Sequence, residues 1–259
     1  MSGTDWNAVA YHDLSDPQFE WGMAVLKTLE LSGHERVLDA GCGSGRLTEE
    51  LLRRLPTGQV VALDYSPKML EQARQRLATW SERIEYVHAS LQQFELPGKV
   101  DGVFSNAVFH WVPDHAAMFR ALHRALKPGG WLVAQFGGVG NLARMLQRAR
   151  EVAGQARFHE YLKDVAAGAH FEDPASTRTR METAGFQVRE AKLHTVMTRF
   201  DGRERYEAFL QTVTLRSYPL AELPQELRQE FLEELSGRTW QDEGGYVLDN
   251  VRLTVRATA

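Results

Sequence analysis

The sequence predicts an α/β fold, a mostly parallel sheet with helices on both faces. Three observations carry that expectation. Strand-like and helix-like segments alternate over the first two-thirds of the 259 residues at the spacing of βαβ crossovers. The strand candidates are continuous apolar runs rather than alternating ones, as a sheet buried on both sides requires. The helix candidates stop at glycine or proline, residues that end a helix more readily than they continue it.

Each element has its own signal. Asp16-Pro17 followed by Phe19, Val25, Leu26 and Leu29 reads as an N-cap, a proline at the first helical position and an amphipathic helix. Arg36 to Asp39 is a short buried strand, and Leu47 to Leu55 is a helix stopped by Pro56-Thr57-Gly58. Gln59 to Leu63 is a second strand, after which Ser66-Pro67 caps a helix running to Trp80. Ile84 to His88 and Val100 to Ser105 are the third and fourth strands. Pro113-Asp114 opens a helix ending at Lys127-Pro128-Gly129-Gly130, and Trp131 to Phe136 is the fifth strand.

Beyond Phe136 the pattern changes. Gly137 to Asp173 is mostly helical, Asp173-Pro174 caps a helix ending at Gly185, and Gln187 to Met197 is a strand. Arg203 to Leu235 is helical with breaks near Pro219 and Pro224, and the alternating run Tyr246 to Arg256 is β-rich. No linker, repeat or low-complexity tract marks a second unit. A single domain over 1–259 is expected, with 1–30 as an N-terminal lid and helix, 31–136 as the ligand-binding core, and 137–175 and 200–245 as a helical cover.

Composition narrows the function classes. Hydrophobic residues are 43% and charged residues 25% of the chain, which excludes a disordered or fibrous protein. Thirty basic residues against 34 acidic ones give a net charge of −4, which argues against nucleic acid or an anionic membrane as partner. No segment approaches the ~18 apolar residues of a membrane span, and the first residues lack the blocks of a signal peptide. Cys42 is the single cysteine, so no intrachain disulfide forms and a reducing cytoplasm is expected. These readings favour a small-molecule ligand and a monomer or homodimer.

The most informative segment is Val37-Leu38-Asp39-Ala40-Gly41-Cys42-Gly43-Ser44-Gly45, a strand entering a glycine-rich turn before a helix. Its G-x-G-x-G spacing differs from the G-x-G-x-x-G of dinucleotide sites. Asp39 would also face an incoming pyrophosphate, and two like charges at ~4 Å repel by several kcal/mol. A ligand without phosphates that carries an ammonium and a sulfonium reverses that sign. The loop therefore favours S-adenosylmethionine over NAD. Asp64, ending the second strand, is placed to accept both hydroxyls of an adenosine ribose; its bland alternative, helix capping, is already supplied by Ser66.

With Leu38 to Gly45, Ala62-Leu63-Asp64-Tyr65-Ser66 and Leu126-Lys127-Pro128-Gly129-Gly130 in view, the chain resembles the class I S-adenosylmethionine-dependent methyltransferases over most of its length. Within that class Trp6-Asn7 with Tyr11, Asn106-Ala107 with His110 to His115, and Thr214-Leu215-Arg216 resemble the trans-aconitate methyltransferase group. The resemblance implies a Rossmann-like seven-stranded sheet with a helical cover over the active site. It assigns Asp39, Gly41 and Gly43 to the methionine end of the cofactor, Asp64 to the ribose, and Tyr65 and Met69 to the adenine faces. Asn106 contacts the methionyl part, and Tyr11, Cys42 and Leu91 complete the set. Ser90 stands where the family often has an acid for the adenine amino group; its hydroxyl can still accept that hydrogen bond. Met69 and Cys42 read equally as packing residues.

Methyl transfer from a sulfonium needs alignment, a dry cavity and a deprotonated nucleophile. A carboxylate, with a pKa of ~4, needs no base, whereas a hydroxyl or amine usually does. His110 is the histidine that the sequence places at the rim of the pocket, as catalytic base or as packing. No metal spacing is present. Trp111, Gln135, Arg216 and Tyr218 are the substrate-side candidates, with Phe19, Trp21 and Phe109 as further aromatic lining. Arg216 would offer its planar fork to a carboxylate, with a surface ion pair as its alternative. The segment Trp6 to Tyr11 would close over the cofactor as a lid or pack as an arm. The expected reaction is methyl transfer to a small carboxylate or hydroxyl acceptor. Non-methylating chemistry of the cyclase or decarboxylase type on the same cofactor fold, and an acyl-carrier-bound acid as acceptor, stay open.

Overall fold

The computed structural model describes residues 16–162, 168–215, 218 and 220–259. Tyr11 and the rest of the Trp6–Tyr11 segment, and Arg216, lie outside the described residues.

Seven strands form one sheet in the order β3-β2-β1-β4-β5-β7-β6. The strands are β1 (Arg36–Ala40), β2 (Gln59–Asp64), β3 (Ile84–His88), β4 (Val100–Asn106), β5 (Leu126–Gly137), β6 (Gln187–Phe200) and β7 (Tyr246–Thr258). Pairings among β1 to β5 are parallel, and β7 runs antiparallel to both β5 and β6. Because β2 and β3 lie to one side of β1 while β4 and β5 lie to the other, the connection direction reverses between β1 and β4. Such a switch point opens a crevice at the carboxyl ends of the strands.

Helices α1 (Asp16–Leu26), α2 (Arg46–Arg54), α3 (Pro67–Arg76) and α4 (His115–Ala125) flank the parallel half. One face of the sheet packs Leu51, Leu52, Leu55, Val37 and Phe104 with Val25 and Leu26 of α1. The other packs Leu38, Val61, Val103 and Leu132 against Phe119 and Leu122 of α4. The caps are those the sequence announces: Ser66 accepts from the Met69 amide, Asp114 from Ala117, and Asp173 from Ala175 and Ser176.

Helices α5 (Ala143–Ala153), α6 (Ala156–Leu162), α8 (Arg203–Phe209) and α9 (Gln225–Glu243) pack on one another. They share an apolar cluster that includes Met145, Phe158, Phe209 and Phe231. Between them in sequence, α7 (Pro174–Thr183) packs on α4 and β6.

Boundaries differ from the sequence reading at several elements, and the last helix runs to Glu243 and β7 to Thr258. Asp16 is the first helical residue of α1 rather than its cap. Helix α3 ends at Arg76 and a 3₁₀ segment, Ala78–Arg83, carries the chain to β3. Helix α4 stops at Ala125, because Leu126 to Gly130 pairs as strand: Gly129 donates to the Ala259 carbonyl and Ala259 back to Gly130. Strand β6 continues past Met197 to Phe200, held by register with Tyr246 to Leu248 of β7.

Candidate functional site

Three strand ends build the site. At the end of β1 the chain turns through Gly41, where φ is +91° and a Cβ would lie 2.3 Å from Val108 Cγ2, so no other residue fits. The Gly41 and Cys42 amides donate to the Leu63 carbonyl at 2.8 and 2.9 Å, locking the turn onto β2. Gly43 also has a positive φ, +55°, but a Cβ there would meet no atom within 4 Å. Gly43 therefore borders open space, leaving its backbone approachable by a ligand.

Two acids face this turn. Asp39 is 2% exposed and accepts from Thr48 Oγ1 of α2 at 2.6 Å. Burial pushes its carboxyl up to about 7, with the Thr48 bond acting against the rise and nearby Asp64 adding to it. Asp64 accepts from the Gly43 amide at 2.9 Å and from the Ser66 amide at 2.9 Å. Burial raises its pKa too, opposed by those backbone N–H groups. Two carboxyls held above their ordinary range form a region that a cation would relieve.

A cavity of about 250 Å³ follows this edge. It is lined by Asp39, Gly41, Cys42, Gly43, Asp64, Tyr65, Met69, Ser90, Leu91 and Asn106, so every described candidate for the cofactor meets there. Tyr65 stands at the lip, 66% exposed, whereas Met69 is buried. Burial and the two acids push the Cys42 thiol far above its ordinary pKa, so it stays a protonated packing group.

A second cavity, of about 540 Å³, adjoins the first and shares Gln18, Ala107 and Trp111 with it. Ala107, directly after β4, has φ +61°, and Leu142, which also lines the second cavity, has φ +59°. Such strain on non-glycine residues gathers at functional sites. Among the described residues the second lining holds Arg150, His159, His110 and Arg252 but no Asp or Glu. Arg252 is 3% exposed on β7, its guanidinium 4.7 Å from the centre of the Trp21 ring. The cavity wall is positive, opposite in sign to the acids of the first.

His110 lines the second cavity and is buried. The Gly137 amide donates to its Nδ1 at 3.2 Å. A ring nitrogen that accepts from an N–H carries no proton, so the neutral ring bears its hydrogen on Nε2. Burial, then the charges of Arg252 and His115, hold its pKa well below the ordinary histidine value. In this geometry the ring is a neutral donor through Nε2, because the Nδ1 lone pair that a base would use is engaged by the Gly137 amide.

The substrate-side candidates divide. Trp111 lines both cavities, and Tyr218 lines the second. Gln135 is buried but turned toward β7, its amide donating to Thr254 Oγ1 at 3.2 Å, and it is absent from both linings. Phe109 is fully buried between Phe119 and Phe136 as core rather than cleft. Phe19 lines the first cavity and Trp21 the second.

Gln18, Gln92, Arg150 and Arg252 are site-lining residues that the sequence reading did not single out. For Arg252 a signal was present. Asn250, Arg252 and Thr254 share one face of β7 and are all buried, an unusual polar row on an interior strand.

Among the described residues there is no group of three or more His, Cys, Asp or Glu that could hold a metal ion, and no helix is long and apolar enough to cross a membrane.

Comparison with known proteins agrees with this geometry. Residues 37–130, which hold the glycine turn and both acids, match the family model described as a methyltransferase domain. A curated trans-aconitate 2-methyltransferase of Rhodopseudomonas palustris (strain BisA53) is 36% identical over 163 residues, 62% of this chain and 61% of that protein. Across such relatives the chain spans between 50% and 62% of their length. The crystal structure of Haemonchus contortus phosphoethanolamine N-methyltransferase 2 with S-adenosylmethionine covers 97% of this chain and 56% of that one, with TM-score 0.61 and 20% identity. A mycolic acid cyclopropane synthase complexed with S-adenosylhomocysteine covers 100% of this chain and 90% of that one, with TM-score 0.60 and 18% identity. These two show the same fold. The seven-stranded sheet with one reversed strand and the match over residues 37–130 together show that the chain carries a methyltransferase domain.

Proposed function

We propose that the chain transfers a methyl group from S-adenosylmethionine to a carboxylate oxygen of a small anionic acid. The observation that carries this reading is the second cavity: its described lining presents Arg252, Arg150, His110 and His159 and no carboxylate, directly beside the acidic first cavity. An anionic acceptor is attracted by such a wall and repelled by none of its described groups. The curated relatives are named trans-aconitate 2-methyltransferases, which supports a carboxylic acid as acceptor.

The chemistry of the first cavity supports the cofactor as its occupant. Asp39 would ionise against the ammonium of the methionine end, with Gly41 and the open backbone of Gly43 beside it. Asp64 would meet the ribose hydroxyls with the lone pairs that Gly43 and Ser66 leave over. Tyr65 and Met69 would flank the adenine, Ser90, Leu91 and Gln92 would border its edge, and Asn106 would reach the methionyl part. When bound, S-adenosylmethionine supplies an electrophilic methyl whose sulfur leaves as a neutral thioether.

The protein then has three tasks. Arg252 and Arg150 hold the acid, Trp111 at the shared wall of the two cavities excludes water, and the Nε2–H of His110 orients an acceptor oxygen. No general base is required, since a carboxylic acid is ionised at neutral pH. Tyr218 completes the wall, its phenol pKa raised by burial so that it remains a neutral hydroxyl.

Labelled methyl transfer onto a panel of carboxylic acids, phenols and amines tests this reading. Label in a base-labile ester of a di- or tricarboxylic acid is expected. Label appearing only on nitrogen or on a phenol, or none on any acid, would contradict it.

A further inference from the structure

A residue outside the glycine turn sits where the two cavities meet. Gln18 lines both of them from the first turn of α1, and its side-chain Oε1 is buried without a hydrogen-bond partner among the described residues. Asn106 at the end of β4 carries a second such atom, its Oδ1, while its Nδ2 donates to the Gln18 backbone carbonyl at 2.8 Å. An unmade hydrogen bond on a buried carbonyl is costly, so a site that keeps two of them on a contacting pair of residues lining one cavity is built to receive donors.

The helix that presents Gln18 is fixed in place. Asp16 pairs with Arg46 at 3.0 Å and Arg205 at 3.1 Å, and the Arg46 guanidinium lies 4.3 Å from the centre of the Phe19 ring. Gly22 of the same helix lies so close to Leu47 that a Cβ would stand 2.3 Å from its Cδ1. The Gln18 oxygen is therefore aimed by a packed helix against α2.

Of the two ligands in the proposed reaction, one supplies the missing donors. An ionised carboxylate is acceptor-only and cannot satisfy an amide oxygen. The cofactor's α-ammonium has three N–H groups. We infer that Gln18 is a cofactor-reading residue, whose Oε1 accepts a hydrogen bond from that ammonium and so fixes the methionine end at the border of the acceptor cavity. This rests on the proposed function and adds a contact from α1, which lies outside the segment matched to the methyltransferase domain.

The test is calorimetric titration of the full chain with S-adenosylhomocysteine and with its analogue lacking the α-amino group. Wild type, Gln18→Leu and Gln18→Glu are compared, with thermal unfolding as a check on folding. Gln18→Leu is expected to weaken S-adenosylhomocysteine about tenfold and leave the desamino analogue unchanged, the loss expected for a hydrogen bond to a charged donor. Gln18→Glu keeps an acceptor and is expected to hold S-adenosylhomocysteine as well as wild type or better. Equal loss for both ligands in Gln18→Leu, or no loss for either, overturns the inference. Failure of the wild type itself to bind S-adenosylhomocysteine contradicts instead the function on which it rests.

Discussion

The Gly43 amide donates to Asp64 Oδ2 at 2.9 Å, so the turn after β1 and the acid that ends β2 form one unit. The acid that would hold the ribose also fixes the turn that would hold the methionine end. Removing its charge loosens both at once. Asp64→Asn replaces the charge-assisted bonds to the Gly43 and Ser66 amides with neutral ones, each about half as strong, a combined change of roughly 1.5–3 kcal/mol. A ten- to hundredfold loss of S-adenosylhomocysteine affinity, of that order, is the expected calorimetric result.

Asp39 gives a pH dependence with a definite sign. The unfolded chain ionises this carboxyl near ~3.9, whereas burial raises it to about 7 in the fold. Between those values the folded state binds more protons, so stability of the ligand-free protein falls as pH rises across the window and stays reduced above it. Cofactor affinity moves oppositely, since an ammonium beside Asp39 favours the ionised form, and it levels off above about 7. Denaturant unfolding and calorimetry across the window should show both slopes in wild type and shallower ones in Asp39→Asn, where Asp64 is the raised carboxyl that is left.

Arg252 separates the two ligands. It is buried in the second cavity and lines no part of the first one. Arg252→Met, which keeps most of the side-chain volume, should lower kcat/KM for the acid by ten- to hundredfold, on the order expected for a hydrogen bond to a charged group. Affinity for S-adenosylhomocysteine should stay within about twofold of wild type, as expected for independent sites. Steady-state kinetics and titration on the same preparation check the split.

His110 is expected to behave as a donor. A general base contributes typically ~10²–10⁴-fold, so His110→Gln, which retains an N–H, should cost about tenfold or less, the scale of one hydrogen bond. The profile of kcat against pH should show no inflection belonging to this ring, because burial keeps it neutral over the working range. A loss of a thousandfold in His110→Gln would restore the base reading.

The parallel half of the fold and its cofactor edge were legible because their signals are local. Glycine at a positive φ, an acid at a strand end and a capping serine each declare themselves within a few residues, as Gly41, Asp64 and Ser66 do. The second cavity was harder to read because its residues come from distant segments. Gln18, Arg150 and Arg252, on α1, α5 and β7, meet only in the folded chain. Gln135 failed for the opposite reason. It does end up beside the site in sequence register, opposite Asn106, yet its side chain takes Thr254 as partner on the neighbouring strand. His110, expected at the rim of the cofactor pocket, lines the adjoining second cavity instead, and its contact with a backbone amide from β5 is one that no local pattern reveals.

Parallel titrations of wild type with S-adenosylhomocysteine and with NAD test most directly whether this acidic bend selects a nucleoside bearing an amine and no phosphate. Saturable one-to-one uptake of S-adenosylhomocysteine, greatly weakened in Asp39→Ala, with no heat from NAD, is the predicted result. Binding of NAD in place of S-adenosylhomocysteine, or an Asp39→Ala protein that binds as wild type does, would contradict it.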